Sequence, residues 1–280
     1  MDEGLTLADG ELSLEFSFAS DVGNVRSVNE DSLLASPPLF LVADGMGGHA
    51  FGDRASRSVI ESFTSTLGTS DAPSPESVVA TIHSANDAVI ALREPDDPSV
   101  SGTTLTGLAL VATVSSHRWM VFNVGDSRVY RWDGRTIEQV TVDHSAIQEL
   151  LDAGEISALE ALHHPYRNVV TRAIGVHDVV DADVWLLPIT GQQTFLVCSD
   201  GLSKELADDQ IAQILADHDP VASGTTVAER LVEAALAAGG RDNVSVIVVA
   251  SAMSGAGVGS DEDTSDGGLS QQLEETRPRK

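Results

Sequence analysis

Two apolar runs in this sequence, FLVADG (40–45) and FLVCSDG (195–201), end in a carboxylate followed by a glycine. Such a run suits a strand buried in a core, and Asp-Gly is a turn former, so each strand stops where its acid begins. With 280 residues, 42% of them hydrophobic, the chain can bury strands of this kind in a substantial core. For any one Asp-Gly pair, a strand and a turn is explanation enough. The acids recur, however. FNVGDSRVY (122–130) sets Asp126 in a turn between two strand-like runs, and GGRDNVSVIVV (239–249) sets Asp242 just before an apolar strand. VRSVNEDSL (25–33) offers Glu30 and Asp31 after Arg26. Acids at strand ends meet at one edge of a sheet when their strands are neighbours.

Several uncompensated carboxylates cannot share a small site without strongly raised pKa values. A cluster therefore calls for cations, and all-oxygen ligands point to hard ions such as Mg²⁺ or Mn²⁺. Two such ions ~3.5–4 Å apart, bridged by one carboxylate, activate a water for attack on phosphorus. Each acid taken singly also has a turn or cap explanation, so spacing leaves both readings open.

Charge and composition narrow the partners. A formal net charge of −27 argues against a nucleic-acid-binding surface, which needs clustered Lys and Arg. No apolar stretch approaches the ~20 residues of a membrane span. The acidic start, MDEGLTLADGE, lacks the basic-then-apolar pattern of a signal peptide. The single cysteine, Cys198, excludes an internal disulfide framework and a multi-Cys zinc cluster. The expectation is a cytoplasmic monomer that binds neither nucleic acid nor membrane.

Period-two alternation in ELSLEFSF predicts a strand over 11–18, and the apolar run another over 39–43. Helices are expected over 55–67 and 75–92, separated by Pro73 and Pro75. Strands follow over 104–114, 119–124, 129–132 and 136–140, punctuated by Gly125-Asp126 and Asp133-Gly134. Ser145 and Gln148 predict a capping box opening a helix over 145–153. Further strands are expected over 184–187, 194–198 and 244–250, with an Ala-rich helix over 221–238 ending at Gly239-Gly240. This order fits an α+β layered domain. The boundaries are an acidic N-terminal extension (1–10), one domain (11–251) and a disordered acidic tail (252–280) with almost nothing to bury.

RSVNED, VADGMGGHAFGDRAS, SGTT (101–104), VGDSRVY, TVDHS (141–145), TRAIG (171–175), VCSDGLS and GGRDNVS occur in this order. In that series the chain resembles the metal-dependent serine/threonine protein phosphatases of the PP2C (PPM) family, in its compact bacterial form, over about residues 12–250. The resemblance implies a four-layer αββα sandwich, two central antiparallel sheets flanked by helices, with a dinuclear metal site at one end. It implies that Asp44 bridges two Mg²⁺ or Mn²⁺ ions, that the Gly45 carbonyl completes one, and that Asp200 and Asp242 hold the other. Glu30 and Asp31 would contact water at the metals. Asp126 resembles the acid that, with Asp200, binds a third and looser ion. Arg26 would grip the phosphate, its guanidinium fork matching two phosphoryl oxygens. Residues 144–172 correspond to a variable flap, which makes His163, His164 and Asn168 candidates for substrate contact.

The implied activity is hydrolysis of phosphoserine and phosphothreonine on proteins by metal-activated water, opposing a bacterial serine/threonine kinase. A phosphatase of an anti-sigma-factor antagonist is the alternative within the same chemistry. A catalytically silent binding module is the alternative outside it, although the implied ligands and Arg26 are all present. One departure stands out. Animal members carry histidine directly after the Asp-Gly pair as a proposed proton donor, and Met46 stands there instead, with His49 nearby in the loop. Cys198 has Lys204, not arginine, at the sixth position after it, so it reads as a buried apolar residue and not as a nucleophile.

Overall fold

The computed structural model describes residues 1–7, 10–47, 51–93, 102–161, 163–218 and 224–254. One sheet is built from β1 (Asp2–Leu7), β2 (Gly10–Asp21), β12 (Val244–Ser254), β11 (Gln192–Cys198), β8 (Arg128–Trp132) and β9 (Ile137–Gln139), in that spatial order. The other runs β10 (Asp183–Pro188), β7 (His117–Val124), β6 (Leu105–Ala112), β4 (Leu39–Met46) and β3 (Asp31–Ser36). A short β5 (Gly102–Thr103) pairs with the end of β4. All named pairings are antiparallel. Helices α1 (Phe51–Leu67) and α2 (Pro75–Ile90) cover one outer face. Helices α6 (Asp208–Asp217) and α7 (Val227–Ala238) cover the other. Between them in sequence lie the short helices α3 (Ala146–Asp152), α4 (Ala158–Ala161) and α5 (Asp200–Ser203).

The two apolar runs are continuous because their strands are buried on both faces. In β4, Leu39, Leu41 and Ala43 pack under α1 and α2 beside Phe63 and Ile82. Phe40 and Val42 point the other way, into the inter-sheet core with Phe16, Trp119 and Phe195. In β11, Phe195 and Val197 enter that same core, while Leu196 and Cys198 face Ile211 and Leu231 of the second helical layer. Each Val, Leu, Ile or Phe among them contributes about 1.5–3 kcal/mol by leaving water. Ring contacts add direction: Phe63 stacks on Phe122 at 5.8 Å, and Phe16 meets Phe40 edge-on at 5.3 Å.

The expected α+β sandwich is the one observed, with differences at several elements. Asp2–Leu7 pairs with β2 and adds an edge strand where composition marks only an acidic extension. Strand β3 and helix α6 lie outside the expected elements: β3 lacks period-two alternation, and α6 fully buries only Ile211. The box at Ser145 is half formed: its hydroxyl accepts from Gln148 N, but the Gln148 amide donates to Asp152 instead. Strand β12 extends to Ser254, past the expected domain end. The tail from 255 onward, like His49, lies outside the described residues. No helix among the described residues is long and apolar enough to cross a membrane.

Candidate functional site

Strand register carries the acids to one end of the sandwich. Asp31 opens β3 directly opposite Asp44 near the end of β4. Cys198, two residues before Asp200, is flanked by Val246 of β12 on one side and Arg128 of β8 on the other. Asp242 precedes β12, and Asp126 precedes β8. Arg26, Glu30, Asp44, Gly45, Asp126, Asn168, Asp200 and Asp242 consequently line one cavity of about 260 Å³, together with Met46, Thr104, Lys204 and Asn243.

The backbone at Asp44 and around the Asp126 turn is held by groups other than their carboxylates. Thr104 Oγ1 accepts from Asp44 N at 3.0 Å and bonds Ser127 Oγ at 2.8 Å, tying the β4 end to the Asp126 turn. His144 clamps that turn twice, its N donating to Gly125 O and its Nδ1 accepting from Gly125 N. Gly125 has φ +114°, and a Cβ there would lie 2.6 Å from Thr104, so no other residue fits. Arg128 braces the following strand through a bidentate pair with Asp143. At Gly45 the constraint is proximity: a Cβ would stand 2.3 Å from the Gly52 carbonyl oxygen and 2.6 Å from that of Glu30.

Crowding of like charges marks the cavity electrostatically. Burial, then the charges of Asp31, Asp200, Asp126 and Asp242, raise the Asp44 carboxyl well above the usual range. Asp126 is pushed up to about 7, by burial and then by Asp200. Asp31 also reaches about 7, chiefly through burial, against the hydrogen bonds of Ser245 and Ser199. Asp31 does not reach the cavity lining; its Oδ2 accepts from Ser199 Oγ at 2.8 Å. Asp31 Oδ1 and Asp200 Oδ1 have no hydrogen-bond partner among the described residues.

Two cations answer this excess. Arg26 Nη2 donates to Asp242 Oδ2 at 2.9 Å, and Lys204 Nζ donates to Asp200 Oδ2. Burial lowers the Lys204 pKa, but Asp200 and Asp126 more than offset it and leave the ammonium above its ordinary value. No three His, Cys, Asp or Glu side chains among the described residues stand as a ready metal cage. The donor set nevertheless suits hard divalent ions: it is all oxygen, it holds an orphaned carboxylate oxygen, and it repels itself without added positive charge.

The flap divides. Asn168 reaches the cavity, whereas His163 and His164 do not line it. His164 is used locally: Nδ1 accepts from Tyr166 N, and its ring meets that of Tyr166 at 5.4 Å. Cys198 is fully buried and its thiol is pushed up to about 12, mainly by burial, which excludes a thiolate nucleophile. Sequence reasoning passed over Lys204 and Asn243 as site residues. Asn243 follows Asp242 and its side chain holds three points of the Arg26 loop: it accepts from Glu30 N at 2.8 Å and donates to Val22 O at 2.9 Å and Val28 O at 3.0 Å. Asn243→Ala is expected to cost roughly 1–3 kcal/mol of stability by orphaning those groups. The check is urea unfolding, where an unchanged midpoint would count against that role.

Comparison with known proteins agrees with this geometry. The sequence model of the family "Protein phosphatase 2C" matches residues 25–238. The chain is 33% identical over 243 residues to the serine/threonine phosphatase stp of Listeria monocytogenes, covering 83% of this chain and 94% of that protein. The crystal structure of the PPM Ser-Thr phosphatase MsPP from Mycobacterium smegmatis, in complex with cacodylate, superimposes with a TM-score of 0.74 at 36% identity, covering 84% of this chain and 97% of that one. The catalytic domain of the serine/threonine phosphatase PstP, in complex with two manganese ions, gives 0.73 at 34% identity, covering 86% and 99%.

Proposed function

We propose a mechanism on one premise: this chain belongs to the protein phosphatase 2C family. It is a metal-dependent protein serine/threonine phosphatase, and its substrates are phosphoproteins. Within that activity we assign Asp44, the Gly45 carbonyl, Asp200 and Asp242 as the groups that would hold two divalent ions, Mg²⁺ or Mn²⁺, with Asp44 serving both. Bound there, the ions supply Lewis acidity at the phosphoryl oxygens and lower the pKa of the attacking water. The observation that carries this reading is that Arg26 and the four acids Asp44, Asp126, Asp200 and Asp242 share one cavity.

Arg26 grips the phosphoryl group. Its side chain is about half exposed and reaches the cavity mouth from a loop that Asn243 fixes. Its guanidinium fork, paired with Asp242 in this structure, would match two phosphoryl oxygens. Water oxygen bonds to phosphorus as the bond from phosphorus to the serine or threonine oxygen breaks, and that oxygen leaves as a hydroxyl once protonated. Met46, lining the cavity where a donor could stand, has no proton to give. The leaving oxygen therefore takes its proton from water or from a side chain other than Met46. Asn168 contacts the peptide beside the phosphate. Glu30, on the lining, orders water there. The phosphoester this enzyme consumes is the product of a kinase, and we place the pair in the cytoplasm, where ATP supplies that kinase.

The test is hydrolysis of a phosphothreonine peptide by the metal-stripped protein with and without Mn²⁺. Activity is expected only with the ion and is lost in Asp200→Asn; equal rates in all arms would sink the mechanism. Arg26→Ala is expected to lower kcat/KM by about 10²-fold while leaving Mn²⁺ uptake in place, since it removes a charge-assisted grip on the phosphate. A loss confined to Mn²⁺ affinity would assign Arg26 to the acids alone.

A further inference from the structure

We propose that Lys204 is a built-in cation standing where an outer metal ion would otherwise sit between Asp126 and Asp200, so that this enzyme runs on two ions instead of three. The proposal rests on the metal-centre reading above and adds a residue to it. Lys204 caps the four-residue helix α5 that begins at Asp200, and its backbone N donates to Asp200 O at 2.8 Å. The side chains at i and i+4 lie on one face, so the ammonium is tethered beside the Asp200 carboxylate. It is the only side-chain partner of that carboxylate named among the described residues, and it lines the same cavity as Asp44 and Asp126.

The chemistry of the residue fits the task. The chain contains two lysines, Lys204 and Lys280, among 16 basic residues, so the cavity holds the one lysine that precedes the tail. An ammonium is a compact point charge with three rotatable donors, able to meet two carboxylates at once, whereas a guanidinium is a planar fork. Its charge acts on Asp126 and Asp44 as well as on Asp200. A free divalent ion entering between Asp126 and Asp200 must compete with a cation that the chain already fixes on Asp200 Oδ2. The inner position shared by Asp200 and Asp242 keeps the second Asp200 oxygen, Oδ1, which has no hydrogen-bond partner among the described residues.

The experiment counts ions without reference to turnover. Metal-free full-length protein is titrated with Mn²⁺, and the free ion is read by electron paramagnetic resonance. Wild type is expected to take up two ions tightly, and Asp126→Asn to leave that count unchanged. Lys204→Met is expected to gain a third ion, its outer site at least ~10-fold tighter than in wild type. Adding Asp126→Asn to Lys204→Met should remove it. Lys204→Gln carries the same expectation should the methionine variant fail to fold. A third ion in wild type that Asp126→Asn abolishes, or neutral variants that titrate as wild type does, would overturn the proposal. Failure of wild type to take up Mn²⁺, or indifference of uptake to Asp44→Asn, would overturn the metal-centre reading itself, and this proposal with it.

Discussion

Asp44→Asn is expected to reduce Mn²⁺-supported hydrolysis of a phosphothreonine peptide by about 10³-fold or more, and to raise the melting temperature of the metal-free protein. A thousandfold is about 4 kcal/mol of barrier, a plausible share for the one carboxylate assigned to both ions. The variant should fold because the Asp44 backbone is held by other groups: Thr104 Oγ1 accepts from its N, and its carbonyl accepts from Thr104 N and Thr103 Oγ1. It should fold more stably because the carboxylate is buried among four others that oppose its ionisation. Each kcal/mol relieved moves the midpoint by about 2–4 °C in a chain of this size. The two effects have opposite signs, and a merely structural role for Asp44 predicts neither combination. Scanning calorimetry in chelator and steady-state assays in Mn²⁺ check them together. An active variant, or one that melts below wild type, would reject the assignment.

What the chain discloses of this centre follows a physical divide. FLVADG and FLVCSDG were legible because burial on both faces leaves a continuous apolar run, and a run that stops at an acid is a local signal. That the two acids share a cavity is non-local: it depends on Cys198 lying between Val246 and Arg128, and on Asp31 lying opposite Asp44. Ordered motifs supplied that information through resemblance; composition and periodicity did not. Lys204 was visible only as the sixth residue after the cysteine, where an arginine is missing, because its meaning lies in the i,i+4 tether to Asp200 and in a cavity it shares with Asp126. His163 and His164 show the converse. Their chemistry drew attention, yet His164 spends its ring nitrogen on Tyr166 N and neither lines the cavity. Strand β3 escaped notice because its residues are mostly half-buried, without the alternation that marks β2.

Metal removal should make stability fall with rising pH, the reverse of what buried salt-bridged carboxylates give. Asp31 and Asp126 ionise at about 7 in the folded protein against an ordinary 3.8. Below about 4 both folded and unfolded chains hold these protons, and the acids favour neither state. Between about 4 and 7 the unfolded chain has released them while the folded chain retains them, so folding costs about 1.4 kcal/mol per pH unit for each proton kept. Above about 7 the loss levels off. Asp44 and Asp200 act in the same direction, and Lys204 and Arg26 offset part of the repulsion. His144 works against this trend: burial, then Arg172, lower its pKa, so its contribution is lost as pH falls. Comparing wild type with Asp31→Asn cancels the histidine, and the variant should show the shallower fall in chelator. A divalent ion replaces the protons as the counter-charge, so Mg²⁺ should raise the midpoint far more at pH 8 than at pH 5. Equal metal stabilisation at both values, or parallel pH profiles for wild type and Asp31→Asn, would mean that burial and neighbouring charge do not hold protons on these carboxyls in the folded protein.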